Sequence, residues 1–143
     1  PIIANLGDGF GTSITGLVHK ESGFQTDEYC VADQLIRRIY RKIDKHKNEL
    51  FDYEVINGDA ETLFVAYGAV SRTVKEIINY YDENKFGLIR LKTIFPFCDD
   101  TIFNLTKNAK RVIVVELNLG QLYYEIKRAI CNTKPVYLIS KVG

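Results

Sequence analysis

Few residues in this 143-residue chain have the types and spacing for chemistry, and the first group is Gly7-Asp8-Gly9-Phe10-Gly11. A dinucleotide-binding turn spaces its glycines as Gly-x-Gly-x-x-Gly between a strand and a helix. Here the third glycine comes one place early, and helical periodicity begins only near Thr26. A Gly-Asp-Gly can also open a diphosphate and Mg²⁺ site, but the oxygen-rich metal shell is completed by an Asn further along. Positions 10–47 contain no Asn, so a turn-rich linker is the favoured reading. His19 and Glu21 could form a proton relay or donate to a metal, yet Cys30 is the only nearby sulfur, and polar loop residues are the simpler account.

Cys30, Cys98 and Cys131 are far apart and contain no Cys-x-x-Cys pair. They supply neither zinc nor iron–sulfur spacing and are expected to be reduced, packed thiols. Cys98 is the one to watch. It precedes Asp99-Asp100 at an expected helix start, where the helix dipole could stabilise a thiolate.

The elements that must position these groups follow from hydrophobic period. Residues 1–25 hold five glycines and no sustained pattern, and read as an irregular linker. Leu35, Ile36, Ile39, Tyr40 and Ile43 then mark a long amphipathic helix from Thr26 to about Leu50. Its other side carries Arg37, Arg38, Arg41, Lys42, Lys45 and Lys47, a solvated face or a surface for an acidic partner. Asp52 to Ile56 fits an antiparallel edge strand before the turn residues Asn57-Gly58-Asp59. After it, strand and helix alternate. Glu61–Tyr67 is a strand; Val70, Val74, Ile77, Ile78 and Tyr81 stripe a helix with Asp82-Glu83-Asn84-Lys85 as its polar exit; and Gly87–Ile94 is the next strand. A helix from Asp99 buries Ile102, Phe103 and Leu105. Strand Arg111–Glu116 precedes a helix from Gln121 to Cys131, with Leu122, Ile126, Ala129 and Ile130 inward, and Pro135–Ile139 closes the set. This order predicts an α/β three-layer sandwich on a mostly parallel sheet of about five strands, with an extra N-terminal helix packed as an appendage or across one face. The expected domain runs over 26–143 and includes the leading helix 26–50.

Open α/β sheets place ligands and partners at the carboxyl ends of their strands. Those ends are Tyr67 to Arg72, Thr93 to Phe97 and Glu116 to Gln121. They offer helix starts, an Arg, a Glu, an Asn and a Gln, which suit an anion or another polypeptide. They contain no Ser/His/Asp set, no phosphate-binding glycine loop and no strand-borne His, so no catalytic or metal-ligating residue is assigned to this chain.

Composition sets outer limits. With 19 Lys+Arg against 18 Asp+Glu, the net charge of +1 argues against a nucleic-acid binder. The longest apolar runs are far short of the roughly 20 residues that span a bilayer, and no signal peptide opens the chain, so no membrane partner and a cytoplasmic location are expected. The chain has no Met at all, so it is expected to be cut from something longer.

Three segments in this order carry a resemblance: Val65-Ala66-Tyr67-Gly68-Ala69-Val70-Ser71-Arg72, Gly87-Leu88-Ile89-Arg90-Leu91-Lys92-Thr93-Ile94-Phe95-Pro96-Phe97, and Val114-Val115-Glu116-Leu117-Asn118-Leu119-Gly120-Gln121. Together with Gly7-Asp8-Gly9, the Thr15–Gly23 stretch, and Arg37-Arg38 with Lys42-Ile43, the chain resembles the α subunit of 2-oxoacid:ferredoxin oxidoreductases, more narrowly the 2-oxoglutarate synthase type. The resemblance implies a transketolase C-terminal-like domain, the second domain of that subunit. It implies an enzyme that oxidatively decarboxylates a 2-oxoacid with coenzyme A to acyl-CoA and CO₂ while reducing ferredoxin. Thiamine diphosphate, Mg²⁺ and iron–sulfur clusters then belong to other parts of the assembly, in the preceding domain, the β subunit and accessory subunits, and this fragment binds no cofactor itself.

On that resemblance the loop Glu116, Asn118, Gly120 and Gln121 faces the partner subunit, and Ser71 and Arg72 form an anion or partner contact at a helix start. The fragment then serves assembly and is inactive alone. A stand-alone Rossmann-like nucleotide- or phosphate-binding module is the alternative that the fold class permits, and a silent scaffold in an unrelated complex is a third.

Overall fold

The computed structural model describes residues 5, 7–11, 14–81 and 85–142. The expected polar helix exit at Asp82-Glu83-Asn84 lies outside them. By internal contacts the chain divides into two compact units, residues 1–45 and 46–143.

In the first unit two short strands, β1 (Val18–His19) and β2 (Gln25–Thr26), pair antiparallel, so the expected irregular segment contains a small hairpin. The His19 ring ties it together: Nδ1 donates to the Gly23 carbonyl at 2.8 Å, which leaves Nε2 to accept from the Thr15 hydroxyl at 3.2 Å in the neutral ring. Asp8 is likewise engaged locally, its carboxylate accepting from the Asn5 backbone N–H at 2.9 Å and from Asn5 Nδ2 at 3.3 Å. Gly7 and Gly9 both have positive φ, as a turn requires.

Helix α1 spans Tyr29–Lys45. The single expected helix from Thr26 to Leu50 is two: Thr26 belongs to β2, and a short α2 (Lys47–Leu50) follows a break at His46. No residue of α1 is buried, and Ile36, Ile39 and Tyr40 are exposed. The contact division leaves α1 in the first unit.

The second unit is built on a five-stranded sheet: β3 (Tyr53–Ile56), β4 (Thr62–Tyr67), β5 (Phe86–Leu91), β6 (Arg111–Glu116) and β7 (Val136–Ser140). Their order is β3-β5-β4-β6-β7. Only β3 runs antiparallel, pairing Tyr53 with Leu91 and Ile56 with Leu88, while β4, β5, β6 and β7 run parallel to one another. Side chains alternate across the pleat. Leu63, Val65, Ile89, Leu91, Val112 and Val114 pack with Ile102 of helix α4 (Asp99–Thr106) and with Leu122, Ile126, Ala129 and Ile130 of helix α5 (Gln121–Ile130). Ala66 and Leu88 point the other way, onto Val74 and Ile78 of helix α3 (Val70–Ile78), with Phe64 and Val115 packed alongside. The three layers are those the alternation predicts. Each fully buried Leu or Ile contributes roughly 1.5–3 kcal/mol of transfer free energy, which is why these apolar stripes decide the register.

Several side chains expected inside lie outside. Ile77 and Tyr81 of the α3 stripe and Phe103 of α4 are exposed. β5 stops at Leu91, leaving Ile94 in the following loop.

A carboxylate on the edge strand ties the sheet to helix α3. Glu54 of β3 accepts from Lys75 of α3 at 3.0 Å and from Arg90 of β5 at 3.2 Å. These hydrogen bonds, first from Lys75 and then from Arg90, hold the Glu54 carboxyl below its ordinary value of 4.5. A lowered carboxyl pKa gives stabilisation that is complete above the unfolded value and is lost as pH falls through the folded one. Urea midpoints of the wild type should therefore fall below pH 4.5 more steeply than those of Glu54→Gln, and parallel acid limbs would contradict this.

Candidate docking edge of the sheet

Because β4, β5 and β6 are parallel and adjacent, their carboxyl ends open onto one edge of the sheet. The loop from Leu117 to Gly120 carries the densest polar structure there, and it arises from an awkward local sequence. A buried strand ends on a carboxylate, and a helix starts four residues later on a glycine with φ of +110°.

Glu116 is only 1% exposed. Its two oxygens accept from the backbone N–H groups of Leu122 at 2.9 Å and Tyr123 at 3.1 Å. Asn118 Oδ1 accepts from the N–H groups of Gly120 at 2.9 Å and Gln121 at 2.8 Å. The first amides of α5, which a helix leaves without internal partners, are thereby satisfied by two side chains from the preceding strand and loop. A carboxylate there also suits the positive end of the helix dipole. Asn118 Nδ2 reaches across to the Tyr67 hydroxyl at 2.9 Å.

The sequence-assigned residues thus fall into three kinds of place. Glu116 and Gly120 are buried, Asn118 is half-buried, and Gln121 is exposed. Ser71 is fully buried, with its hydroxyl donating to the Gly68 carbonyl at 2.7 Å, whereas Arg72 beside it is exposed. The structure brings Glu116, Asn118, Gly120 and Gln121 together around the start of α5, and places Ser71 and Arg72 separately at the start of α3. Glu116 and Ser71 face inward and shape the edge without presenting a surface. The amides of α5 that would greet a phosphate are already taken, two of them by a carboxylate that repels anions.

What projects outward is apolar. Leu117 is 59% exposed and Leu119 78%, and Ile94 and Phe95 on the loop after β5 are exposed too. Weighing polar types first passes over these four and Tyr67. The available signal was the alternation Glu116-Leu117-Asn118-Leu119: where a helix start consumes the polar members, the apolar ones must point to solvent.

Cys98 corrects an expectation. It is buried, and its thiol lies 3.5 Å from both the Lys47 carbonyl and Asn48 Oδ1. Burial pushes its pKa above the ordinary value of 9.0, with Asp99 and Asp100 adding to the rise, so the site disfavours the thiolate that the helix-start position suggested. Cys30 and Cys131 are exposed, against the expectation of packed thiols.

At the other end of the sheet a cleft of about 480 Å³ is lined by residues that include Phe103, Lys107, Ala109, Lys110 and Lys134. Its lysines are largely engaged. Lys134 donates to the carbonyls of Thr106 and Lys107, capping α4, and burial lowers its pKa, while Lys110 pairs with Glu61 at 2.5 Å.

Among the described residues no group of three or more His, Cys, Asp or Glu could hold a metal ion. This donor set does not fit an iron–sulfur cluster or a metal–diphosphate centre. Among the described residues, too, no helix is long and apolar enough to cross a membrane.

Fold and site together define a three-layer α/β domain whose densest hydrogen-bonded loop lies at the carboxyl edge of its sheet. The chain belongs to the pyruvate:ferredoxin oxidoreductase core domain II family, whose model matches residues 60–143. It is 43% identical over 145 residues to 2-oxoglutarate synthase subunit KorA of Methanocaldococcus jannaschii, covering the whole chain and 39% of that protein. Against the KorA subunit of Methanothermobacter marburgensis it is 30% identical over 142 residues, covering 96% of the chain and 38% of that protein. The chain therefore spans about two-fifths of the length of these curated relatives. A solved 2-oxoglutarate:ferredoxin oxidoreductase from Magnetococcus marinus, with 2-oxoglutarate, coenzyme A and succinyl-CoA bound, superposes with a TM-score of 0.69 at 21% identity, over 100% of this chain and 26% of that one. That likeness supports the fold.

Proposed function

We propose that this chain is the second domain of the α subunit of a 2-oxoglutarate:ferredoxin oxidoreductase, and that its carboxyl edge docks the β subunit. The whole enzyme would convert a 2-oxoacid and coenzyme A to acyl-CoA and CO₂ while reducing ferredoxin in the cytoplasm. Thiamine diphosphate, Mg²⁺ and iron–sulfur clusters are assigned to other domains and subunits, in keeping with the donor set here. The family supplies the class, and the substrate is taken from relatives named as 2-oxoglutarate synthase subunits that match 100% and 96% of the chain. The observation that carries the docking role is a loop held from within by Glu116 and Asn118 while Leu117 and Leu119 stand in water. Gln121 and Arg72 form the polar margin of this edge.

In the complete subunit co-expressed with its partner, Leu117→Asp with Leu119→Asp should lower co-purified partner and ferredoxin-linked turnover of 2-oxoglutarate about tenfold or more, as loss of a central apolar contact does. Gln121→Ala, at the margin, should have a smaller effect. Unchanged association and turnover in both variants would remove this edge from the interface.

A further inference from the structure

We infer that Tyr67, at the end of β4, is the positioning residue that sets the docking loop after β6. The inference rests on the assembly reading above and identifies what holds that surface in shape. The chemistry of the Asn118 amide fixes the direction of the contact. Two backbone N–H groups, those of Gly120 and Gln121, point at one atom of that amide from 2.9 and 2.8 Å. Only its oxygen can receive them, so the –NH₂ group must face Tyr67, whose hydroxyl oxygen accepts at 2.9 Å.

Tyr67 is well placed for this. It is the last residue of β4, which lies beside β6 with Ala66 opposite Val115, so its ring stands where β6 gives way to the loop. The loop is then pinned from two sides. Glu116 holds the start of α5 from below, and Tyr67 holds Asn118 from the neighbouring strand. Leu117 and Leu119 flank the pinned Asn118 and stay exposed. Gly120 completes the bend at a positive φ, where an added Cβ would come within 3.3 Å of the Tyr124 ring and 3.4 Å of Leu138. A loop fixed before contact loses less conformational freedom on binding, so a partner gains affinity without any new contact. Tyr67 thus acts on assembly through Asn118.

The test uses the full subunit titrated with its β partner. Tyr67→Phe keeps the ring and removes the acceptor. The partner Kd should weaken about fivefold, and the Gly120 and Gln121 amides should exchange hydrogen about tenfold faster. The Val114 amide in the β6 core and the urea midpoint should stay near wild type. Unchanged Kd, or faster exchange with unchanged Kd, overturns the positioning role. Leu117→Asp with Leu119→Asp separates the two ideas. If that variant disrupts assembly while Tyr67→Phe does not, only the positioning inference falls. If it leaves assembly intact, the docking reading falls and takes the inference with it.

Discussion

Replacing Glu116 by alanine should destabilise the second unit by about 3–4 kcal/mol, because hydrogen bonds to a charged acceptor contribute roughly 1.5–3 kcal/mol each and their loss strands buried donors. Glu116 is 1% exposed and accepts from both the Leu122 and Tyr123 amides. Alanine leaves those amides facing a void at the start of α5, and Leu122 is itself buried, so water reaches them poorly. The favourable charge at the positive end of the helix dipole is lost as well. Glu116→Gln is the informative control. It keeps one acceptor oxygen but turns an –NH₂ group toward the other amide, so about half the loss, ~2 kcal/mol, is expected. Urea unfolding of the three proteins checks both values. An alanine variant within about 1 kcal/mol of wild type would mean that the cap supplies little, since that is the size of an ordinary neutral hydrogen bond.

The second large effect lies at the opposite end of the sheet. Gly87→Ala should cost at least ~3 kcal/mol, at or beyond the usual range for overpacking, because the atoms in the way are backbone and cannot swing aside. A Cβ at Gly87 would sit 2.2 Å from the Asn57 carbonyl oxygen, 2.8 Å from that of Ile56 and 2.8 Å from Leu63 Cδ2. The strand order explains the crowding. β3 lies outside β5 while β4 lies inside it, so the chain leaving β3 must pass over the start of β5 to reach β4. It does so at Ile56-Asn57, directly above Gly87, and Asn57 Nδ2 donates to the Phe86 carbonyl at 3.3 Å as it crosses. Gly58→Ala is the matched control in the same turn. Its Cβ would meet only Val55 Cγ1, at 2.9 Å, an atom of an exposed side chain that can shift by a change in χ1, so a cost of about 1 kcal/mol, well below that of Gly87→Ala, is expected. Circular dichroism and urea midpoints of both variants decide the matter. Equal tolerance would show that the crossover can lift away from β5.

Most of the architecture was legible because most of it is local. The strand Arg111–Glu116 and the four inward residues of the helix after it follow from period alone: Val112 and Val114 fill the core face, and Leu122, Ile126, Ala129 and Ile130 meet them. The edge strand before Asn57 was legible from the turn residues that follow it, but its partner was not. Asn57-Gly58-Asp59 has the chemistry of a hairpin turn, which would pair β3 with β4, yet β3 pairs with β5. Turn residues specify that the chain bends, not which strand lies on the far side.

The carboxyl edge of the sheet divides in the same way. Parallel alternation alone implies that the ends of β4, β5 and β6 share one edge, and the family resemblance singled out Glu116, Asn118, Gly120 and Gln121 on it. Their orientation was not found. A carboxylate at a strand end reads as a surface group until the start of a helix turns it inward, and Leu117 and Leu119, given no role from the sequence, are what stands exposed beside it. Cys98 inverted for a similar reason: the helix start suggested a thiolate, but burial raises the cost of its charge.

The wide spacing of Cys30, Cys98 and Cys131 and the incomplete Gly-Asp-Gly motif are properties of residue type, which the sequence by itself determined. It also determined the three layers, because hydrophobic period acts over neighbours in the chain. Which polar groups face inward, which leucines remain in water, and why position 87 must be glycine were decided only by tertiary structure. Those outcomes depend on contacts between residues distant in sequence, as between Tyr67 and Asn118 or between Gly87 and Asn57, and such contacts exist only once the strands are ordered.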